Sequence, residues 1–341
     1  MTRINTSLTK LLNIDVPIIS APMAFAATGD LASAVTSAGG FGFMGAGFLS
    51  SQELKRDFQL ARQRLNLKAS DPVPIGIGFI GWILELTETS DDPRLTAILD
   101  EKPVAIWFAF GANLGKYIAH VREYDAKRVH TTIIFVIVNS VEGALRAAND
   151  WKVDVVVAQG IEAGGHGGSE SPPLLTLVQA ITQAVLSGPL IVAAGGISTG
   201  LQIAALLTMG VDGVALGTRF LFTDECIYTP AQKEVLLRAD HHATTRTLAF
   251  DEVGRTMGWP PKHDGRAIVN GIIEDVRAGL DLDQRLKKFD ESAASGDTSR
   301  LIVWAGVGVG LTNDITPASD VVTSLSKETL AALQSTSKLF N

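Results

Sequence analysis

The sequence predicts a closed (β/α)8 barrel, a TIM barrel of the α/β class, with a C-terminal, mainly helical appendage. Three observations predict it. Eight short apolar runs rich in Val and Ile recur between residues 16 and 217, amphipathic stretches separate them, and several runs end in glycine. Runs that are apolar on both faces read as parallel strands buried under helices. Strand–helix alternation implies βαβ units. Eight such units close into a barrel, whereas a doubly wound open sheet, the structural alternative, would leave two edges to protect.

The strands are expected at VPIISA (16–21), FGFMGA (41–46), PIGIGF (74–79), VAIWFA (104–109), TIIFVIV (132–138), DVVVAQ (154–159), LIVAA (190–194) and GVALG (213–217). Helical periodicity falls between them at 30–38, 51–65, 93–100, 112–123, 140–150, 173–187 and 199–209. This assigns residues 1–225 to the barrel and 226–341 to the appendage, the two forming one structural unit. Within the appendage, residues 229–300 are polar and helix-like, with a loop expected at GWPPKHDG (258–265) and a disorder-prone stretch at ESAASGDTSR (291–300). The apolar, glycine-rich WAGVGVGL (304–311) is expected to fold back over the barrel mouth.

Composition narrows the function classes. Hydrophobic residues make up 46 % of the 341 and charged residues 19 %, enough apolar material for a large core. With a formal charge of −7 and no Lys/Arg run, neither nucleic acid nor an anionic membrane is an expected partner. Cys226 is the only cysteine, which excludes an intrachain disulfide and a cysteine-based metal site. MTRINTSLTK lacks an apolar signal core and no apolar run approaches a membrane span. A soluble cytoplasmic protein with a small-molecule substrate and no metal is expected; a homodimer stays open.

Three motifs carry chemistry. QGIEAGGHGG (159–168) follows the sixth strand, where a barrel places its active site. Gly164 and Gly165 would let backbone lie flat against a planar ring, with Ala163 beside them, and the loop aims His166 into the mouth as a base suited to neutral pH. Gln159 contacts ligand or fixes this loop. Glu162 either orients His166 or caps the loop. The second motif pairs AAGGIST (193–199) with ALGTRF (215–220). Backbone N–H groups of Gly195, Gly196, Gly217 and Thr218, with the Thr218 hydroxyl, can converge on a phosphate after strands seven and eight. Arg219 is read as a buried salt bridge rather than a phosphate partner. In the third motif, SAPMAF (20–25), Ala21, Pro22 and Met23 would wall a flavin, and Gly76 and Gly78 mark a close backbone approach in strand three. Trp259 and Trp304 read as core packing, with pocket lining as the alternative, KHDGR (262–266) reads as a solvated loop, and no metal site is expected at His241 and His242 in the appendage, since adjacent positions do not converge on a helix.

APM (21–23), EAGGHGG (162–168), AAGGI (193–197) and LGTRFLFTDE (216–225) together resemble the nitronate monooxygenase family, formerly the 2-nitropropane dioxygenases. The resemblance spans about residues 8–225 and, weakly, 300–311. It implies an FMN-dependent barrel that uses oxygen, a catalytic base at His166, and FMN contacts at Ala21, Met23, Gly164, Gly195, Gly196, Gly217 and Thr218. The chain departs from the family pattern at Gly78, at IIFVIV (133–138) and at Val307, where polar side chains are common, and at Gln159, which replaces an Asp of some members. Rival readings are an FMN-dependent NAD(P)H:quinone or enoyl-thioester reductase, a non-flavin barrel for a phosphorylated metabolite, and a catalytically weak flavin-binding protein.

Overall fold

Eight parallel strands, Ile18–Ser20, Phe41–Gly45, Val73–Ile80, Pro103–Ala109, Ile133–Val138, Val155–Gln159, Leu190–Ala194 and Gly213–Leu216, pair in chain order, and the last closes on the first. Ile19 lies opposite Phe41 on one side and Ala215 on the other. The computed structural model describes residues 3–336 and 338; positions 1–2 of the N-terminal segment and 337 and 339–341 of the appendage lie outside the described residues. Strand bounds agree with the apolar runs to within about two residues, because burial on both faces writes the whole strand in hydrophobic residues.

Alternate residues of each strand point inward and outward. The inward set, including Ile19, Phe43, Trp107, Phe135, Val157 and Val192, fills the barrel. Phe43, Trp107 and Phe135 pack with ring centroids 5.1–5.9 Å apart and form a solid aromatic layer. Gly76 belongs here and not to the mouth: a Cβ on it would lie 2.2 Å from the Phe43 ring. Its glycine makes room for an aromatic, not for a ligand. The helix Ser7–Leu12 places Leu8 and Leu12 in the same inner cluster. It was not expected, since six residues are too few to show a helical period.

The outward set packs under the expected helices, Gly29–Ser37, Ser51–Arg64, Arg94–Leu99, Leu114–Asp125, Val141–Asn149, Leu174–Ala184 and Gly200–Thr208. The eighth helix is displaced in sequence. Ala318–Thr336 packs on Gly200–Thr208 and Gly29–Ser37, the place where a helix following strand eight belongs. Ala318, Val321, Val322 and Leu325 are buried in the main core. A bridge between Thr223 and Thr316, with Thr316 N–H donating to Phe222 O at 3.2 Å, joins the two ends of the intervening segment. Residues 224–315 are thus an insertion between a barrel strand and its own helix. The end of the appendage covers the barrel wall; the insertion covers the mouth.

The insertion is not purely helical. Gly165–Gly168, His263–Ile268 and Thr244–Thr247 form an antiparallel sheet with His263–Ile268 in the centre. KHDGR, expected as a solvated loop, is therefore mostly strand; its polar residues mark a sheet over a site, not solvent. Residues 291–300 are ordered as well. Leu282–Ser295 is a helix closed by Gly296 in the left-handed region (φ 72°), and Asp297 caps the next turn through Ser299 N–H at 2.9 Å. Small polar residues here serve as caps, not as disorder. Among the described residues no helix is long and apolar enough to cross a membrane.

Candidate active site

A cavity opens at the C-terminal ends of the strands. Ala21, Pro22, Met23, Gly78, Gln159, Ala163, Gly164, Gly165, His166, Gly195, Gly196, Gly217 and Thr218 line it, joined by Phe25, Phe48, Phe110, Trp259 and Trp304. No Lys, Arg, Asp or Glu is among the lining residues. Glycines let the walls close. A Cβ on Gly78 would meet Pro22 at 2.3 Å, so the 21–23 turn lies directly on the end of strand three. Gly195 and Gly196 hold φ of 111° and 70°, which an L side chain would strain. None of the N–H groups of Gly195, Gly196, Gly217 and Thr218 donates to a backbone acceptor among the described residues.

His166 projects from the strand Gly165–Gly168. Its Nε2 lies 2.9 and 3.0 Å from the two carboxylate oxygens of Asp251, which is fully buried in the helix Ala249–Gly254. The Trp259 ring stacks on the imidazole at 3.5 Å with 7° between planes, and Trp304 approaches at 4.6 Å. Asp251 Oδ1 also accepts from Thr256 Oγ1 at 2.8 Å and Trp259 Nε1 at 2.9 Å. Burial between two indoles pushes the His166 pKa below its ordinary 6.5, with the Asp251 carboxylate acting in the opposite sense. Burial thus favours the neutral form of the ring.

Arginines of the insertion hold the loop. Arg246 donates to Gly167 O at 3.0 Å and Ala163 O at 3.3 Å while paired with Asp264, and Arg266 donates to Ile161 O at 3.1 Å. Gln159 fixes the loop too: its Nε2 donates to His166 O at 3.1 Å and its Oε1 accepts from Asn139 at 3.0 Å. Glu162 does not orient His166; both its carboxylate oxygens accept Leu174 N–H at 3.0 Å and cap the helix Leu174–Ala184. Thr218 Oγ1 accepts Gly306 N–H at 2.9 Å, tying strand eight to the returning 304–311 segment. The salt bridge expected for Arg219 is not formed among the described residues: its Nη1 is buried without a partner, and burial lowers its pKa.

Asp251, Arg246 and the contacts of Trp259 and Trp304 escaped the sequence reading. They lie about 80–140 residues from His166, in a stretch without a strong period. Trp259 in an otherwise polar segment, and Trp304 at the head of the returning apolar one, were the available signal, and core packing was the reading preferred for both.

The model of the family described as nitronate monooxygenase matches residues 5–328. A nitronate monooxygenase of Neurospora crassa is 33 % identical over 339 residues, covering 91 % of this chain and 88 % of the relative. Among solved structures, FabK from Thermotoga maritima superposes with a TM-score of 0.80 at 26 % identity, covering 98 % of this chain and 99 % of that one. The nitroalkane oxidase of Streptomyces ansochromogenes gives 0.76 at 27 %, covering 96 % and 99 %. A closed parallel barrel with this glycine-lined mouth defines an enzyme of the flavin-dependent oxidoreductase class. The chain belongs to the nitronate monooxygenase family.

Proposed function

We propose that the enzyme oxidises nitronates, and nitroalkanes by way of their nitronates, with FMN as cofactor and oxygen as electron acceptor. The products are a carbonyl compound and nitrite. The observation that carries this reading is a buried imidazole, held by Asp251, in the wall of a cavity that among the described residues is lined by no other acid–base side chain apart from buried Tyr228.

The residues fit FMN. The free N–H groups of Gly195, Gly196, Gly217 and Thr218 form a phosphate cradle, and Ala21–Met23 with Gly164 and Gly165 form a slot for a flat ring. When bound, the flavin takes electrons from the organic substrate and returns them to oxygen. The chain does the rest. His166 takes the proton α to the nitro group, and the resulting imidazolium stabilises the charge on the nitronate oxygens. Phe48, Phe110 and Trp259 exclude water, which strengthens that pairing.

The likeness to FabK keeps an FMN-dependent NAD(P)H:quinone or enoyl-thioester reductase as a second reading. The lining favours the first, because it offers no cationic side chain to the phosphates of a dinucleotide. Anaerobic mixing separates them: bleaching of the flavin by ethylnitronate and not by NADH or NADPH is expected, and the reverse overturns the assignment. His166→Ala should lower kcat/KM for nitroethane about 10²–10⁴-fold, and less for the preformed nitronate. Because the base works unprotonated, wild-type kcat/KM for nitroethane should hold through neutral pH and fall only as pH drops through a value below 6.5.

A further inference from the structure

We infer that Asp251 is a positioning residue that sets the tautomer of His166, so that Nδ1 is the nitrogen that takes the substrate proton. The inference rests on the proposed function for the proton's source, and on geometry for everything else. Both Asp251 oxygens reach Nε2, at 2.9 and 3.0 Å. A carboxylate can only accept, so Nε2 carries the hydrogen. Nδ1 then keeps its lone pair, and no protein hydrogen bond engages it among the described residues. Trp259 stacks on one face of the ring and Trp304 lies 4.6 Å away, tilted by 52°. His166 lines the cavity and Asp251 does not, which leaves Nδ1 as the ring nitrogen available to a substrate there.

The carboxylate is itself pinned. Oδ1 accepts from Thr256 Oγ1 and Trp259 Nε1, at 2.8 and 2.9 Å, and shares the His166 Nε2 hydrogen with Oδ2, whose sole partner among the described residues is His166. The other charged groups near the ring, Arg246 from Thr244–Thr247 and Asp264 from His263–Ile268, are paired with each other at 2.6 Å. The asymmetry at Asp251 predicts what an isosteric amide does. In Asp251→Asn, the amide oxygen keeps the two donors Thr256 and Trp259, which forces the NH2 group toward His166. The NH2 group then opposes an Nε2 hydrogen at 3.0 Å while the amide oxygen stays 2.9 Å away, so the carboxylate's fixed preference for Nε2–H is lost and the ring hydrogen shifts toward Nδ1, taking up that nitrogen's lone pair. The same exchange in a serine-hydrolase triad costs about 10⁴-fold in kcat through the wrong tautomer.

The test reads the tautomer directly. FMN-loaded protein labelled with 15N-histidine is examined at about pH 8, where the ring is neutral, and His166 is assigned by the signals missing from His166→Gln. Wild type should show a protonated Nε2 and a bare Nδ1; D251N should show them exchanged. Kinetically, D251N should lower kcat/KM for nitroethane about 10²–10⁴-fold and leave turnover of preformed ethylnitronate within about tenfold. A protonated Nδ1 in wild type overturns the inference even if D251N does not fold; so does a D251N protein whose spectrum shows the exchanged tautomer and which keeps nitroethane turnover. A wild-type enzyme that turns over neither nitroethane nor its nitronate defeats the proposed function instead, and leaves the tautomer to the spectrum.

Discussion

Gly164→Ala tests whether the insertion closes the site as tightly as the structure shows. Gly164 has no left-handed φ, so alanine brings steric cost alone. Its new Cβ would lie 2.3 Å from Gly306 N and 2.4 Å from Ala305 C, backbone atoms that cannot rotate aside. Overpacking of this kind costs about 1–3 kcal/mol. Relief requires the 304–307 segment to lift, which breaks the bonds from Val307 N–H to Glu162 O at 3.1 Å and from Gly306 N–H to Thr218 Oγ1 at 2.9 Å. Each is worth about 0.5–1.5 kcal/mol, so the loss totals about 2–6 kcal/mol. An unfolding entropy of about 2.1 cal/mol/K per residue over 341 residues makes 1 kcal/mol worth about 1.4 °C, and Tm should fall by about 3–8 °C. Gly279→Ala is the control: φ is 74° with nothing within 4 Å, so only backbone strain of about 1–2 kcal/mol applies. Thermal unfolding followed by near-UV circular dichroism reads both variants, and flavin fluorescence reads the opened mouth. If G164A melts no lower than G279A and holds flavin as wild type does, the close approach of 164 and 306 is wrong.

Asp275 accepts from Arg300 at 2.8 and 3.0 Å and from Lys288 at 3.0 Å, and these bonds hold its carboxyl below the ordinary 3.8. A depressed carboxyl stabilises the fold above its unfolded pKa and loses that contribution as pH falls through the folded value. Asp275→Asn should thus cost about 1–3 kcal/mol at neutral pH, less than a fully buried pair because Lys288 is half exposed. The gap in Tm between wild type and D275N should close below about pH 4, and a constant gap in acid would remove the ion pair from the account. Separately, aromatic rings run outward from His166 through Trp259, Trp82, Phe48 and Phe25, with successive centroids from Trp259 outward 5.6, 5.8 and 6.2 Å apart. Each methylene added from nitroethane to nitrohexane should raise kcat/KM about fourfold; a flat series, or one unchanged in Phe48→Ala, would place the substrate elsewhere.

The barrel was legible because its strands are buried on both faces, so hydrophobicity marks them residue by residue without help from context. The mouth was legible where glycine lies near or just past the C-terminal end of a strand, as at Gly78, Gly164–Gly165, Gly195–Gly196 and Gly217, since missing Cβ atoms record close approach in the chain itself. Gly76 shows the limit of that rule: its missing side chain makes room for Phe43 in the core, and glycine alone does not say which neighbour needed the space.

The sequence by itself determined the barrel, the strand ends that face the site, and His166 as its imidazole. It did so through periodicity and glycine placement, both local properties. Tertiary structure alone decided what His166 touches. Asp251, Trp259 and Trp304 reach it from an insertion between strand eight and its own helix, across separations of 85 residues and more. Such contacts depend on how a polar segment folds over the mouth, and no local pattern of side chains encodes that path. The same holds for Arg219 and Glu162, whose partners or lack of them follow from burial and helix placement in three dimensions.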